Sequence, residues 1–309
     1  MSNTLAMFPG QGSQFVGMGR ELLSEFPAAK VAFEEAEDAA RINIRKLCLE
    51  GPEEELKLTA NTQPCILTMS VAVWRVLVGE TGISPTYFAG HSLGEYSAVV
   101  AAGKMTLGRA AFLVRKRGEA MQAAVPAGIG AMAAVLNMPA ADLLASCAAI
   151  SKPGNIVEVV NFNSSAQLVV AGHKPAVDTL CAKLEAAGTR FVSLPVSAPF
   201  HSSLMKPARD AMTPLLEETK LENTFAQIIA NLTGKVSHPY ETSLLIQQIN
   251  SPVYWTQTLE TAVELGCEKY LEVGPGKVLF GLARRGLPRT VKLMHTEDVK
   301  QTIIDMKSN

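Results

Sequence analysis

The sequence has few cysteines, few charged residues and no long uninterrupted apolar run. Its five cysteines are scattered through 309 residues without a CxxC spacing, which disfavours a disulfide framework and a zinc site. Only 18% of the residues are charged, and 28 Lys and Arg balance 29 Asp and Glu. No global field therefore attracts nucleic acid or an anionic membrane.

The most apolar region, residues 127–150, is interrupted by polar residues and falls short of the roughly 18 apolar residues that a membrane span needs. The N-terminus lacks the basic and apolar segments of a secretory signal. A hydrophobic content of 48% is the reverse of the disordered signature. We therefore expect a soluble, cytoplasmic globular enzyme with no nucleic-acid partner and no membrane partner.

Short β-like runs alternate with helical patterns along most of the chain. Strands are predicted at 4–8, 86–89, 226–231 and 269–273, and helices at about 21–40, 63–78, 93–102 and 108–124. This alternation is typical of α/β proteins with a largely parallel sheet. Further helices are predicted near 204–218, 244–249 and 256–265, and the strand at 269–273 ends at the loop Gly274-Pro275-Gly276.

Residues 126–197 have a different pattern, which reads β-α-β-β-α-β between Ala131 and Pro195 with prolines at both ends. This is the order of a ferredoxin-like unit. We therefore predict a small inserted domain at 126–197 within a larger α/β domain formed by 1–125 and 198–309. A groove between two such bodies is a favoured place for a substrate.

The strongest motif is Gly90-His91-Ser92-Leu93-Gly94, which matches G-x-S-x-G. It lies between a predicted strand and a predicted helix, the context of a nucleophile elbow. In such an elbow the serine hydroxyl projects at a helix N-terminus, where backbone N–H groups can stabilise a negative oxygen. The alternative is a glycine-containing turn with an incidental serine. The place between strand and helix favours Ser92 as a nucleophile.

A serine hydroxyl needs a base to act as a nucleophile at neutral pH. Of the five histidines, His201 ranks first because it follows the segment by which the chain returns to the larger domain. His91 adjoins the serine, and its side chain is expected to point away. No Asp or Glu has a compelling place as partner of the histidine, so a dyad held by a backbone carbonyl stays open beside a triad.

Arg117 lies on the apolar face of a predicted helix, in line with Leu113, Val114 and Met121. An unpaired buried charge is too costly to tolerate, so something anionic must meet this guanidinium. One candidate is an internal pair with Glu95. The other is a substrate carboxylate, for which a planar bidentate fork is suited. The residues alone favour neither.

Two glycine-rich loops lack nucleotide-binding patterns. In residues 8–15, Phe15 stands where the third glycine of G-x-G-x-x-G belongs, and Leu271 replaces the first glycine of a phosphate loop ending at Lys277. Dinucleotide and nucleoside-triphosphate binding are therefore disfavoured. A loop at the carboxyl end of a central strand can instead lend a backbone N–H to an oxyanion hole, and Gln11 is the obvious donor.

Several segments in one order and spacing carry a family resemblance: FPGQGSQ from Phe8, GHSLGEYSA from Gly90, MAAV from Met132, VNFNS from Val160, Phe200-His201, and EVGPGK from Glu272. Over essentially the whole chain, the sequence resembles malonyl-CoA:acyl-carrier-protein transacylase of bacterial type II fatty acid synthesis. The resemblance implies a hydrolase-like α/β core with a ferredoxin-like insertion. Ser165-Ala166 departs from the family, which usually has proline there.

By this resemblance Ser92 is the acylated nucleophile and His201 is the general base. The main-chain carbonyl of Gln248, in the segment QINSPVYW, steadies the histidine. The backbone N–H groups of Gln11 and Leu93 form the oxyanion hole.

The resemblance also assigns the substrate contacts. Arg117 matches the arginine that grips the malonyl carboxylate, and the bulky Phe200 leaves less room for an α-methyl group. The implied reaction moves a malonyl group from malonyl-CoA to the phosphopantetheine thiol of acyl carrier protein by ping-pong chemistry, without a metal or redox cofactor. We expect a monomer whose acidic carrier docks on a basic patch, with Lys277, Arg284, Arg285 and Arg289 as candidates.

Three other functions stay open. A serine hydrolase or thioesterase could use the same elbow, with a carboxylate partner for His201 and no role for Arg117. A non-catalytic acyl-binding protein could keep the fold, although the intact Ser92 and His201 argue against it. A free-standing acyltransferase of a polyketide synthase would share the chemistry but serve another carrier.

Overall fold

A computed structural model describes residues 3–196 and 198–308, so positions 1, 2, 197 and 309 of the predicted domains lie outside the described residues. The strands, numbered along the chain, are β1 (Asn3–Phe8), β2 (Tyr87–Gly90), β3 (Gly130–Leu136), β4 (Val157–Ser164), β5 (Gln167–His173), β6 (Phe191–Ser193), β7 (Gln227–Ile229), β8 (Val236–Ser237), β9 (Cys267–Glu272) and β10 (Lys292–His295).

The α-helices, numbered in the same way, are α1 (Arg20–Glu25), α2 (Pro27–Ala40), α3 (Ile44–Glu50), α4 (Glu53–Lys57), α5 (Thr59–Thr81), α6 (Gly94–Ala101), α7 (Leu107–Ala123), α8 (Ala140–Ile150), α9 (Lys174–Ala186), α10 (Lys206–Glu217), α11 (Thr242–Gln248), α12 (Trp255–Glu264), α13 (Val278–Gly286) and α14 (Val299–Lys307). A short 3₁₀ turn at Ser203–Met205 precedes α10.

The larger sheet has six strands in the order β10-β9-β1-β2-β7-β8. Neighbouring strands are parallel except β8, which pairs antiparallel to β7. Side chains of β1 alternate between two buried clusters, with Ala6 and Phe8 in one and Leu5 and Met7 in the other, because successive residues of a strand face opposite sides. The predicted α/β fold with a largely parallel sheet is confirmed.

The long helix α5 packs against α2 and α7. Its length and apolar composition would suffice to cross a membrane, but 78% of its most apolar window is buried inside the protein. An apolar helix of this kind covers a parallel sheet that needs shielding on both faces.

The second sheet is antiparallel and has the strand order β4-β5-β3-β6. Its elements follow one another as β3-α8-β4-β5-α9-β6, the predicted β-α-β-β-α-β order. Helices α8 and α9 bury Leu143 and Leu180 in a cluster with Val135 and Val170 of the strands. This sheet therefore has a buried cluster of its own.

The carboxyl ends of β1, β2 and β7 lie at one edge of the larger sheet, since these strands are parallel neighbours. Phe8 pairs with Gly90 at the ends of β1 and β2. The loops after the three strands carry Gln11, Ser92 and Asn231. Side chains far apart in the sequence therefore meet at this edge.

The segment predicted as one helix over 21–40 forms two helices, α1 and α2. Phe26 is extended (φ −113°, ψ 110°) and Pro27 starts α2. A residue before proline is pushed out of the helical region, and proline has no N–H to continue the preceding helix. The break follows from that dipeptide.

Candidate active site

Ser92 lies on the turn between β2 and α6, with a left-handed backbone (φ 53°) that side chains rarely adopt. A Cβ on Gly90 would collide with the backbone of Gly94, and one on Gly94 would collide with the carbonyl of Phe8. Both glycines of the motif are therefore required by close approach of the chain, as in a strained nucleophile elbow.

The Ser92 hydroxyl lies 2.6 Å from Nε2 of His201. The other ring nitrogen, Nδ1, lies 3.0 Å from the main-chain carbonyl oxygen of Gln248. That oxygen can only accept, so Nδ1 carries the proton and Nε2 accepts from the serine hydroxyl. The predicted serine–histidine–carbonyl arrangement is present in the geometry.

Arg117 is 1% exposed and contacts three polar groups. Its Nη1 donates to Oε1 of Gln63 at 2.8 Å, and its Nη2 donates to Oε1 of Gln248 at 3.0 Å and to Oγ of Ser92 at 3.2 Å. In residues 3–196 and 198–308 it forms no ion pair with a carboxylate. The guanidinium is therefore held in place by amide oxygens beside the serine.

A buried carboxylate lies behind these groups. Glu95, in the first turn of α6, accepts hydrogen bonds from the Tyr240 hydroxyl at 2.8 Å and from Nε2 of Gln248 at 2.5 Å. The backbone N–H of Asn231 lies 3.3 Å from each carboxylate oxygen. Asn231 in turn accepts from the backbone N–H of Ser92 at 2.6 Å. The elbow is thus tied to this polar layer.

Burial shifts the titration of the two central groups. Burial, followed by the positive charge of Arg117, lowers the pKa of His201 to about 3, although its bond to Gln248 acts in the opposite direction. The imidazole is therefore neutral near neutral pH and can take a proton. Burial raises the pKa of Glu95 to about 7, while the bonds from Tyr240 and Gln248 lower it.

A cavity of about 170 Å³ opens onto Ser92 and His201. It is lined by the second sheet and by the loops and helices around the larger one, with Gln11, Gln63, His91, Leu93, Arg117, Met121, Met132, Asn161, Asn163, Val169, Leu194, Val196 and Phe200. Within the described residues, the backbone N–H groups of Gln11 and Leu93 donate to no protein acceptor. The cavity therefore combines a serine, a neutral base, a guanidinium and two unused backbone donors.

Residues 7–304 match the acyl transferase domain family. The chain belongs to this family.

Relatives of this acyl transferase cover it almost completely. The malonyl CoA-acyl carrier protein transacylase of Bacillus subtilis (strain 168) is 41% identical over 99% of this chain and 98% of its own length. The solved malonyl-CoA:acyl carrier protein transacylase of Xanthomonas oryzae is 37% identical with a TM-score of 0.95, covering 100% of this chain and 98% of that one. A malonyl-transacylase solved with a type II polyketide synthase acyl-carrier protein is 40% identical, with a TM-score of 0.95 and full coverage of both chains.

The acyl transferase site brings together the seven catalytic, oxyanion-hole and substrate-contact residues predicted from the sequence. Six of them line the cavity, namely Gln11, Ser92, Leu93, Arg117, Phe200 and His201. Gln248 is fully buried behind it and reaches the site through both its carbonyl and its side chain. His91 also lines the cavity, where Nε2 lies 2.8 Å from Oδ1 of Asn163, so the expectation that its side chain points away is wrong.

Gln63 and Asn231 are site residues that the sequence analysis omits. Gln63 is a polar residue in the apolar run of α5, and such a buried amide needs a partner. Asn231 lies two residues after β7, but its closeness to Ser92 depends on β7 lying beside β2. Gln63 could therefore have been selected from the sequence as a polar residue in an apolar helix. Asn231 could not, because its place beside Ser92 depends on the order of the strands.

Proposed function

We propose that this chain transfers the malonyl group from malonyl-CoA to the phosphopantetheine thiol of acyl carrier protein, through a malonyl-Ser92 intermediate, for fatty acid biosynthesis. The observation that carries the proposal is a single hydroxyl, Ser92 Oγ, lying 2.6 Å from the neutral base His201 and 3.2 Å from the buried guanidinium of Arg117. A nucleophile beside a carboxylate receptor suits an acyl group that ends in a carboxylate.

In the first half-reaction His201 takes the Ser92 proton through Nε2 as Oγ attacks the thioester carbonyl. The oxygen of the tetrahedral intermediate is stabilised by the backbone N–H groups of Gln11 and Leu93. The C–S bond then breaks, and the CoA thiolate leaves with the proton from His201. Malonyl-Ser92 remains, with its carboxylate on Arg117.

In the second half-reaction the carrier's phosphopantetheine thiol gives its proton to His201 and attacks the malonyl ester. The ester C–O bond breaks, and His201 returns the proton to Ser92. The carbonyl of Gln248 keeps the imidazole in the tautomer that both halves need. Each step uses protein groups and the two thiols, so the proposed reaction needs no metal or redox cofactor.

Phe200 is assigned to substrate selection. Its side chain is 8% exposed and lines the cavity directly before His201 in the sequence. A bulky ring there leaves less room for an α-substituent on the acyl group. This supports malonyl rather than methylmalonyl groups as the substrate.

The function is tested by mass spectrometry of the intact protein after incubation with malonyl-CoA, followed by addition of purified carrier proteins. We expect one malonyl group on Ser92 and its transfer to a fatty-acid carrier. Release of free malonate at the same rate without a carrier would instead support a thioesterase. Faster transfer to a polyketide-synthase carrier would support the trans-acting alternative. This outcome is worth testing because the chain is similar to a malonyl-transacylase solved with such a carrier.

The low pKa of His201 predicts a flat pH profile for the reactivity of Ser92. A neutral sulfonyl fluoride reports on the serine–histidine pair and carries no carboxylate for Arg117 to bind. With the pKa lowered to about 3, the base stays neutral, and we expect the rate constant to change less than about twofold between about pH 5.5 and 7.5. With an ordinary histidine, whose pKa is near 6.5, the rate constant would fall roughly tenfold as the pH is lowered from about 7.5 to about 5.5, because the base becomes protonated. Decay of the reagent without protein is the control.

We propose that the carrier docks near the end of α13. Arg284 and Arg285 are exposed there, and Leu287 and Pro288 line a second cavity that shares Asn163 with the active-site cavity. An acidic carrier would be attracted to such a basic rim.

For the double substitution Arg284→Glu/Arg285→Glu, we expect the KM for carrier protein to rise about tenfold, with the first half-reaction unchanged. Steady-state transfer and single-turnover malonylation measure the two effects. Lys30→Glu/Lys46→Glu is the matched control, because both lysines are exposed and neither lines either cavity. An equal rise in the control, or none in the test variant, would place the docking surface elsewhere.

We also propose that residues 126–197 form a ferredoxin-like domain inserted into a domain made of 1–125 and 198–309. The separate antiparallel sheet with its own buried cluster supports this division.

Five free cysteines support a reducing, cytoplasmic location. We further propose that the enzyme acts as a monomer, since every group used above comes from one chain.

A further inference from the structure

The side chain of Gln248 occupies the centre of the polar layer behind the site. Its Nε2 donates to Oε2 of Glu95 at 2.5 Å and to the carbonyl oxygen of Ser92 at 2.9 Å. Its Oε1 accepts from Nη2 of Arg117 at 3.0 Å. Both amide hydrogens are therefore used on acceptors, and the amide oxygen is used on the guanidinium.

Within residues 3–196 and 198–308, the hydrogen-bond partners of Glu95 are all donors. Its carboxylate is fully buried, and its contacts are the Tyr240 hydroxyl, the Gln248 NH₂ group and the Asn231 N–H. In its ionised form, present above its pKa of about 7, this carboxyl group has no hydrogen to give and accepts at both oxygens. The group that meets it from Gln248 must therefore be the NH₂ end of the amide.

We propose that Glu95 is the positioning residue of this site, because it fixes the direction of the Gln248 amide so that the oxygen faces Arg117. With the amide reversed, an NH₂ group would meet the guanidinium and the amide oxygen would meet the carboxylate. Both contacts would then be repulsive and buried, where unmatched polar groups cost most. The inference rests on the proposed function, since it gives Arg117 its task.

The same arrangement explains why Arg117 stays available for a substrate. A direct pair with Glu95 would occupy the guanidinium, whereas Gln248 stands between the two charges. The attraction of Glu95 for Arg117 is kept at longer range, and Nη2 remains beside the Ser92 hydroxyl. In the described part of the chain, Nε of Arg117 also lacks a hydrogen-bond partner. Arg117 can thus be stabilised by the charge of Glu95 and still bind a substrate carboxylate.

The test compares Glu95→Gln with Glu95→Asp. Glutamine keeps the shape but can donate, so the Gln248 amide loses its fixed direction. We expect kcat/KM for malonyl-CoA to fall about tenfold or more, while the reaction of Ser92 with the neutral sulfonyl fluoride changes little. Aspartate is shorter but can only accept, so we expect it to keep more of the malonyl activity. A role in packing alone gives the opposite order of the two variants.

Glu272→Gln is the matched control. Glu272 is an equally buried carboxylate that accepts from the backbone N–H groups of Leu279 and Phe280, outside the active-site cavity. We expect it to leave the ratio of malonyl activity to sulfonyl-fluoride reactivity unchanged. An unchanged ratio in Glu95→Gln, or a lower one in Glu95→Asp than in Glu95→Gln, would overturn the proposal.

Gln248→Met keeps the test valid if Glu95→Gln does not fold. Methionine preserves the main-chain carbonyl for His201 but removes the acceptor for Arg117. We expect the ratio to fall by a similar factor, and an unchanged ratio overturns the relay through Gln248. Failure of the proposed function is recognised separately, because wild-type protein would then form no malonyl-Ser92 at all.

Discussion

Replacement of Ser92 by alanine is expected to abolish the malonyl-enzyme and to lower malonyl transfer about 10⁴-fold or more. The reason is chemical, since the hydroxyl is the only protein group of the proposed cycle that bonds to the acyl carbon. The hydroxyl lies at hydrogen-bond distance from both His201 and Arg117, so its removal leaves a base and a carboxylate receptor without a nucleophile. Intact-protein mass spectrometry measures the adduct, and carrier malonylation measures the rate.

Ser97→Ala is the matched control for this prediction. Ser97 is on the adjacent helix α6 and fully buried, and its hydroxyl has no hydrogen-bond partner within the described residues. We expect its replacement to leave both measurements unchanged. A malonyl adduct that persists in Ser92→Ala, for example on a cysteine, would remove the serine from the mechanism.

The elbow could be predicted from the sequence because its constraint is local. The two glycines and the serine act within five residues of chain, and the structure shows the close approaches that each glycine allows. The β-α-β-β-α-β pattern of the second sheet is local in the same sense, since its elements follow one another directly. Features formed by residues that are close together in the sequence can therefore be predicted without coordinates.

The partners of Arg117 could not be predicted in this way. The helical periodicity correctly places the guanidinium on the buried face of α7. Its contacts, however, come from Gln63 and Gln248 on two other helices, α5 and α11. A charge rule alone suggested a carboxylate, whereas the structure uses neutral amide oxygens with Glu95 one layer behind.

The helices and the strand after Val273 could not be predicted from the sequence either. Helix α13 is short, and its first turn is held by the buried Glu272, whose carboxylate accepts from the N–H groups of Leu279 and Phe280. That carboxylate stands in for the usual capping residue, and it lies at the end of β9 rather than at the N-cap. Strand β10 then pairs with β9 at the edge of the sheet. Neither feature has a short-range signature.

Replacement of Arg117 by alanine is expected to lower kcat/KM for malonyl-CoA about 10²-fold or more. The substrate carboxylate would then enter a buried site without its cation, which costs more than losing an exposed ion pair. Acetyl-CoA carries no carboxylate, so its transfer should be unchanged or increased in the same variant. Parallel assays with the two thioesters measure the change in selectivity.

Arg115→Ala shows whether such a change is specific to the guanidinium at the serine. Arg115 belongs to the same helix but turns to Ala60, Asn61 and Glu119, so its loss should leave the preference for malonyl over acetyl groups unaltered. If Arg117→Ala lowered both transfers equally, the arginine would serve the elbow by its bond to Ser92 and not the substrate. A change in preference confined to Arg117 therefore separates carboxylate recognition from support of the nucleophile, because only recognition depends on the charge of the acyl group.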